Sequence, residues 1–308
     1  MDVEYLLEYL DYTADIGVTL STEQLSIVQN SLRILQDQAR FCRMYFFGII
    51  YGTQKNYYIA FGVRQDALDR IFYYSLNGLN WVLIPNPVSQ DNAYSLSQDC
   101  RVRFVGDPLL FRDVEEVDTK GMFTIGERGE GDVEAESIKE MVPEIEQNEN
   151  TERGDRSLKE EDRLAAVVHA ITVEAFVLPR RALFKVPDKI GSVVYNKYFQ
   201  GLNDREATRL QNFVHYREPR NKWNTNLVQT SAANYSTDFL DSVDEDIPKN
   251  KSWCLVQSYD QMIVLSKSLY WPGSVFFHVL DTPRYGNCYF GFGIKNYDLP
   301  FMLSSVLS

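Results

Sequence analysis

Near the C-terminus, Gly291-Phe292-Gly293 follows an aromatic run, and a Gly-x-Gly is half of a phosphate-cradling loop. The rest of that fingerprint is missing. Its third glycine would fall at Asn296, and Pro300 disfavours the helix that would have to hold a phosphate at its N-terminus. These glycines read better as small residues on one side of a strand. The three histidines, His169, His215 and His278, lie in different segments and lack metal-ligand spacing. His169 is expected to be solvated on a helix, His215 to be a hydrogen-bonded structural residue beside Arg217 and Glu218, and His278 to sit within a strand. There is no Gly-x-Ser-x-Gly elbow to expose a nucleophile.

"DFLDSVDEDIP" holds five acids between Asp238 and Asp246, without the alternation and central glycine of a calcium loop. It is expected to form a short helix that buries Phe239, Leu240 and Val243 and leaves its acids in water. Cys42, Cys100, Cys254 and Cys288 are far apart and form no CxxC pair, so they read as buried, reduced thiols. These readings leave no catalytic, cofactor-binding or metal-binding residue to name.

The elements that carry these residues follow from periodicity and turn chemistry. Residues 1–40 read as helical, from Val3, Leu6, Leu7 and Leu10 and then Leu25, Val28, Leu32 and Leu35, with a Ser21/Gln24 capping box. "MYFFGIIYG" and "NYYIAFGV" form a hairpin across Thr53-Gln54-Lys55. "IFYYSL" and "NWVLIP" form another across Asn77-Gly78, and "CRVRFVG" reads as a fifth strand.

Between Asp113 and Asp162 lie 18 acidic and 6 basic residues, a net of −12 that equals the charge of the whole chain. This stretch reads as a disordered acidic insert, 113–157, in a single domain spanning 1–308. Beyond it, Ser157 and Glu160 suggest a capping box for a helix with Leu164, Val167, Val168 and Ile171 on one side. Pro179 stops that helix, and "RALFKVP" is extended. A second helix follows Asn203 and Glu206 with Leu210, Phe213 and Val214 as its stripe. Four strands close the chain: "SWCLVQS", "QMIVLSKS", "SVFFHVL" and "NCYFGFGI". The fold class is α+β, mainly antiparallel sheet with packed helices.

The first and last hairpins resemble each other, N-Y-Y-I-A-F-G-V aligning with N-C-Y-F-G-F-G-I. Tyr57, Ile59, Phe61 and Val63 share a bulky face opposite Tyr58, Ala60 and Gly62. Cys288, Phe290, Phe292 and Ile294 do so opposite Tyr289, Gly291 and Gly293. The small sides are where another layer can approach. Whether the two hairpins share a sheet is open at this stage.

With 18 Phe, 19 Tyr and 4 Trp, the composition suits strands and contact surfaces, and a pI near 4.8 argues against nucleic acid. Trp81 and Trp271 are candidate interface anchors, with the core the favoured place for both. An acidic N-terminus and no apolar stretch of membrane-spanning length read as a soluble, intracellular protein, in which the sequons at Asn234 and Asn250 are fortuitous.

Seven segments carry a family resemblance: "SLNGLNWVLIP" (75–85), "RFVGDP" (103–108), "LPRRALFKVP" (178–187), "FVHYREP" (213–219), "DFLDSVDEDIPKNKSW" (238–253), "SLYWPGSVFFH" (268–278) and "GIKNYDLPFML" (293–303). In order and spacing they resemble the radial spoke head proteins of the ciliary and flagellar axoneme. The resemblance covers nearly the whole chain apart from the acidic segment. It departs at Arg181, where the family pattern leads one to expect glycine.

The resemblance implies a non-catalytic structural subunit of the axonemal spoke head, without cofactor, metal, nucleic acid or membrane. Its implied partners are radial spoke head proteins 4 and 6 and other spoke-head subunits, with transient contact to central pair projections. The implied role is to pass mechanical signals between the central pair and the doublet dyneins. The competing reading from the residues is an enzyme or small-molecule module with an unrecognised site. The acidic segment has two readings, an electrostatic cushion facing the central pair or a tolerated insertion.

Overall fold

The computed structural model describes residues 1–14, 17, 19–85, 102–113, 157–186, 192–220, 236–249, 251–258 and 262–302. The acidic segment from 114 to 156 lies outside them, as do Cys100 and both sequon asparagines. The helices are α1 (Leu6–Ala14), α2 (Thr22–Ala39), α3 (Glu160–Ala175) and the single turns α4 (Asp204–Ala207) and α5 (Leu299–Met302). No described helix is long and apolar enough to cross a membrane.

The strands are β1 (Arg43–Ile50), β2 (Tyr57–Val63), β3 (Arg70–Ser75), β4 (Val82–Leu83), β5 (Phe111–Asp113), β6 (Ser157–Lys159), β7 (Val177–Pro179), β8 (Leu183–Lys185), β9 (Val193–Tyr195), β10 (Phe213–His215), β11 (Trp253–Gln257), β12 (Ile263–Ser268), β13 (Ser274–Val279) and β14 (Tyr285–Gly291). Eight of them form one sheet in the order β11-β12-β13-β14-β1-β2-β3-β4, and β10/β7, β5/β6 and β8/β9 form short pairs. The fold is α+β.

The two similar hairpins share this sheet and meet at its centre. There β1 runs parallel to β14, with Gly48 opposite Tyr289 and Ile50 opposite Gly291, while every other pairing is antiparallel. Gly48 also sits at a register shift against β2 and has φ +138. A Cβ there would lie 2.0 Å from the Tyr289 carbonyl oxygen, so only glycine fits the junction.

Side-chain alternation makes three layers. On one face Phe46, Ile49, Tyr58, Ala60, Phe277, Cys288 and Phe290 pack beneath α1 and α2. On the other, Phe47, Ile50, Tyr57, Ile59, Phe61 and Tyr289 pack against α3 through Leu164, Val168 and Ile171. A third cluster fills the far end, where Val264 and Phe276 meet Val177, Phe213 and Trp253.

The two hairpins are alike in pattern and opposite in aspect. The bulky face of β2 looks toward α3, whereas Cys288 and Phe290 look toward α1 and α2. The closeness expected of the small sides holds in both copies. A Cβ at Gly62 would meet the Phe41 ring at 2.5 Å, and one at Gly291 would meet the Pro272 carbonyl at 2.6 Å.

The Ser21/Gln24 and Asn203/Glu206 capping boxes both form. Four local expectations differ. Asn77-Gly78 is no two-residue hairpin turn, because β3 and β4 pair only from Tyr74 with Val82, leaving a loop of 75–81. Gly78 alone has positive φ there, and the Asn77 side chain accepts from the Leu79 and Asn80 N–H groups. Among its described residues "CRVRFVG" contributes a single bridge, Phe104 beside Gly52.

The helix after Asn203 lasts one turn, because Phe213 and Val214 pair instead with Pro179 and Leu178 of β7. The Ser157/Glu160 box does not form: Ser157 lies in β6, and Lys159 is the N-cap with no side-chain cap bond. The Glu160 carboxylate turns away to accept from Tyr57 Oη (2.7 Å) and the N–H groups of Val105 (3.1 Å), Gly106 (2.8 Å) and Asp107 (3.3 Å). One buried acid thus pins the 104–107 loop to the sheet.

Candidate interaction surface

The Gly-Phe-Gly motif forms the exit from the sheet. β14 ends at Gly291, and Gly293 adopts φ +69 while donating its N–H to Tyr289 Oη (2.9 Å). That turn lifts Phe292 and Ile294 out of the layer, leaving them 43% and 36% exposed. The Arg103 guanidinium lies 4.3 Å from the centre of the Phe292 ring, and Tyr51 packs against the same ring.

The segment after this turn meets the "SLYWPG" segment. The Asn296 N–H donates to the Tyr270 carbonyl (2.8 Å), and Lys295 Nζ lies 5.5 Å from the Tyr270 ring and 5.4 Å from the Tyr297 ring. Glu174, near the end of α3, ties both segments down. Its carboxylate accepts from Trp271 Nε1 (2.7 Å) and from Lys295 Nζ. Trp271 is buried, as expected, while Trp81 is half-buried and donates to Ser31 Oγ (2.9 Å).

The acid-rich segment joins from the other side, where Tyr270 Oη donates to the Ile247 carbonyl (2.6 Å). Its acids are not simply solvated. Asp238 takes a two-pronged contact from Arg180, Asp241 accepts from Arg217 Nη1 (2.9 Å), and Asp246 faces His215 Nε2 (3.0 Å) and accepts from Trp253 Nε1 (2.8 Å). Only the turn Val243–Glu245 is helical, as a 3-10 turn. The sequence pattern shows charge density but not which cations fold back onto it, so these pairings had no local signal.

Two depressions flank Lys295. One, of about 370 Å³, is a groove lined by Pro272, Phe292, Ile294 and residues Lys295 to Asp298. Beyond it Phe301 is 80% exposed. The other, a recess of about 150 Å³, gathers Glu174, His215, Arg217, Arg220, Asp246 and Lys295 among its walls.

That recess brings together titratable groups which the sequence left scattered, but each of its carboxylates already holds a cation or an indole N–H. His215 has no hydroxyl or thiol as a hydrogen-bond partner. Burial, followed by the nearby Arg220 charge, lowers the affinity of Arg217 for its proton. The arrangement binds three chain segments to one another.

The other histidines lie apart. His278 is buried in β13, where Nε2 accepts from the Leu202 N–H and Nδ1 donates to the Arg284 carbonyl. Burial lowers its pKa to about 4. His169 is half-buried rather than solvated, and burial together with Arg70 lowers its pKa. Of the cysteines expected to be buried, Cys288 is, Cys254 is intermediate and Cys42 is exposed; all three are free thiols. Among the described residues no group of three or more His, Cys, Asp or Glu side chains is placed to hold a metal ion.

This face carries exposed apolar surface on a rigid base. Phe292, Ile294 and Phe301 stand clear of the sheet, and Trp271, Glu174 and Lys295 fix the segments that bear them. Apolar and aromatic side chains so held are suited to bury against another protein.

A family model for "Radial spokehead-like protein" matches residues 1–204. The radial spoke head protein 9 homolog of Danio rerio is 38% identical over 304 residues, covering 98% of this chain and 100% of that protein. The corresponding proteins of Bos taurus and Homo sapiens are 36% and 35% identical, with the same coverage.

Proposed function

The chain belongs to the radial spokehead-like protein family, and from that membership we propose that it is a non-catalytic structural subunit of the ciliary and flagellar radial spoke head. It helps to assemble the head by holding radial spoke head proteins 4 and 6 and neighbouring subunits. Through the head it passes mechanical signals between the central pair and the doublet dyneins.

The observation that carries this reading is similarity along the whole chain to radial spoke head protein 9 homologs. The face around Phe292, Ile294 and Phe301 adds a place where such a subunit can be gripped. The acidic segment, outside the described residues, is assigned the part of an electrostatic cushion toward the central pair, an effect that should weaken with salt.

The test is co-purification of the full chain with radial spoke head proteins 4 and 6. The wild-type chain should enter the complex. Phe292→Asp combined with Phe301→Asp should weaken entry at least tenfold while the variant stays folded, with only the Tyr51 and Arg103 contacts of Phe292 lost from the isolated chain. Failure of the wild-type chain to enter any complex with these proteins would sink the proposal.

The enzyme or small-molecule alternative draws on the recess beside Lys295, where titratable groups converge. At about 150 Å³ that space falls below the roughly 300–1,000 Å³ common for ligand pockets.

A further inference from the structure

The eight-stranded sheet has two edges of different character. At one end β4 is two residues long. At the other, β11 reads Trp253-Cys254-Leu255-Val256-Gln257, with no proline and no charge. Natural sheets protect long apolar edges with prolines, lysines, bulges or covering loops, because an open edge presents a row of unpaired donors and acceptors. β11 has none of the first three.

The register identifies the groups that point outward. The Ser258 N–H donates to the Ile263 carbonyl, and the Leu269 N–H donates to the Ser252 carbonyl. Bonded pairs recur every second residue in an antiparallel ladder, so Cys254 and Val256 turn their backbone groups toward β12. Trp253 and Leu255 turn theirs away from the sheet, and no backbone group among the described residues meets them.

Beside that edge lies a depression of about 490 Å³, between Trp253 and Leu255 on one wall and Thr208 to Gln211 on the other. Arg209 and Asp244 also line it, and neither is ion-paired within the described chain. We propose that this slot receives an extended segment of another spoke-head polypeptide, which adds to the sheet as a ninth strand beside β11.

The chemistry selects that occupant. The outward N–H and C=O groups of Trp253 and Leu255 require a partner that offers both a donor and an acceptor at strand spacing, which an extended main chain does. The half-buried Leu255 suits an apolar side chain on the incoming segment. Asp244 and Arg209 call for a basic and an acidic residue on the incoming segment. The inference rests on the proposed head-subunit role and names one contact of it.

The experiment is amide-resolved hydrogen exchange on the full chain, alone and after assembly with radial spoke head proteins 4 and 6. Alone, the Trp253 and Leu255 amides should exchange at least 100-fold faster than those of Cys254 and Val256. On assembly they should become protected to a similar degree. Leu255→Pro removes an N–H that β12 does not use, and it should weaken assembly at least tenfold. Thr208→Trp narrows the slot from the opposite wall without touching the sheet, and it should do the same even if the proline variant misfolds.

Assembly that leaves the Trp253 and Leu255 amides fast overturns this inference and spares the head-subunit reading. A homodimer of the isolated chain that protects the same amides makes a second copy the occupant and also overturns it. Failure of the wild-type chain to assemble overturns both readings together.

Discussion

Replacing Glu160 by alanine tests the interior architecture most directly. Its carboxylate is buried and accepts from a tyrosine hydroxyl and three backbone N–H groups. Asp107 is exposed and Val105 half-buried, so water can replace the acid there. Tyr57 Oη and the Gly106 N–H are buried and would be orphaned.

Hydrogen bonds to a charged group contribute roughly 1.5–3 kcal/mol each, and an orphaned buried donor costs about 1–3 kcal/mol. Two such donors, with a smaller contribution from the solvated pair, put the loss near ~4 kcal/mol. For a protein of this size that is a fall in melting temperature of about 6 °C. Glu160→Gln keeps the shape and one acceptor oxygen and should lose about half as much.

Thermal and urea unfolding of purified variants would measure these changes, with Ser157→Ala as the comparison. A helix capped by Ser157 would lose ~1 kcal/mol on that change. Because Ser157 lies in β6, ahead of the Lys159 N-cap, little or no loss is expected from it as a cap. Glu160→Ala within 2 °C of wild type, or Ser157→Ala the more damaging of the two, would refute the reasoning.

Further predictions address other levels of the structure. Gly48→Ala forces a Cβ into the Tyr289 carbonyl and should abolish soluble expression or cost more than ~4 kcal/mol, read by yield and melting temperature. His278 has a folded pKa of about 4 against about 6.5 unfolded, so the unfolded chain takes up the proton first. Its contribution is complete above pH 6.5 and is lost as pH falls toward 4, a change of ~3 kcal/mol. His278→Gln should flatten urea-unfolding stability across that window.

Arg181 has φ +70. Arg181→Gly relieves roughly 1–2 kcal/mol of left-handed strain and costs part of that in unfolded-state entropy, so a rise of about 1 °C in melting temperature is expected, taking the net as ~0.5 kcal/mol. Asp113 and Ser157 pair directly in β5 and β6. Replacing residues 114–156 with a four-residue turn should therefore keep the fold and save about 2 kcal/mol of loop-closure entropy. A lowered melting temperature would show that the insert packs on the body.

Much of this was legible in the sequence, for a local reason. The capping boxes at Ser21 and Asn203, the helical spacing of Leu164 to Ile171 and the alternation of Tyr57 to Val63 depend on residues within a few positions of one another. Each appears where its pattern placed it. Motif order along the chain was likewise enough to identify the family.

The departures occur where a distant segment outbids a local preference. Phe213 and Val214 fit a helical stripe until β7 offers them a strand partner. Glu160 fits a capping box until Tyr57 and the 105–107 backbone offer its carboxylate more donors than a helix end can. The acids from Asp238 to Asp246 look solvated until Arg180, Arg217, His215 and Trp253 arrive from other elements.

The sequence by itself determined most of the elements, the alternating faces and the family. Tertiary structure alone decided that two similar hairpins lie side by side across a parallel β1–β14 junction with opposite aspects, and that β11 is the end strand of the sheet among the described residues. Strand periodicity says which residues share a face. It cannot say which strand lies alongside, because that depends on main-chain pairing between residues more than two hundred positions apart.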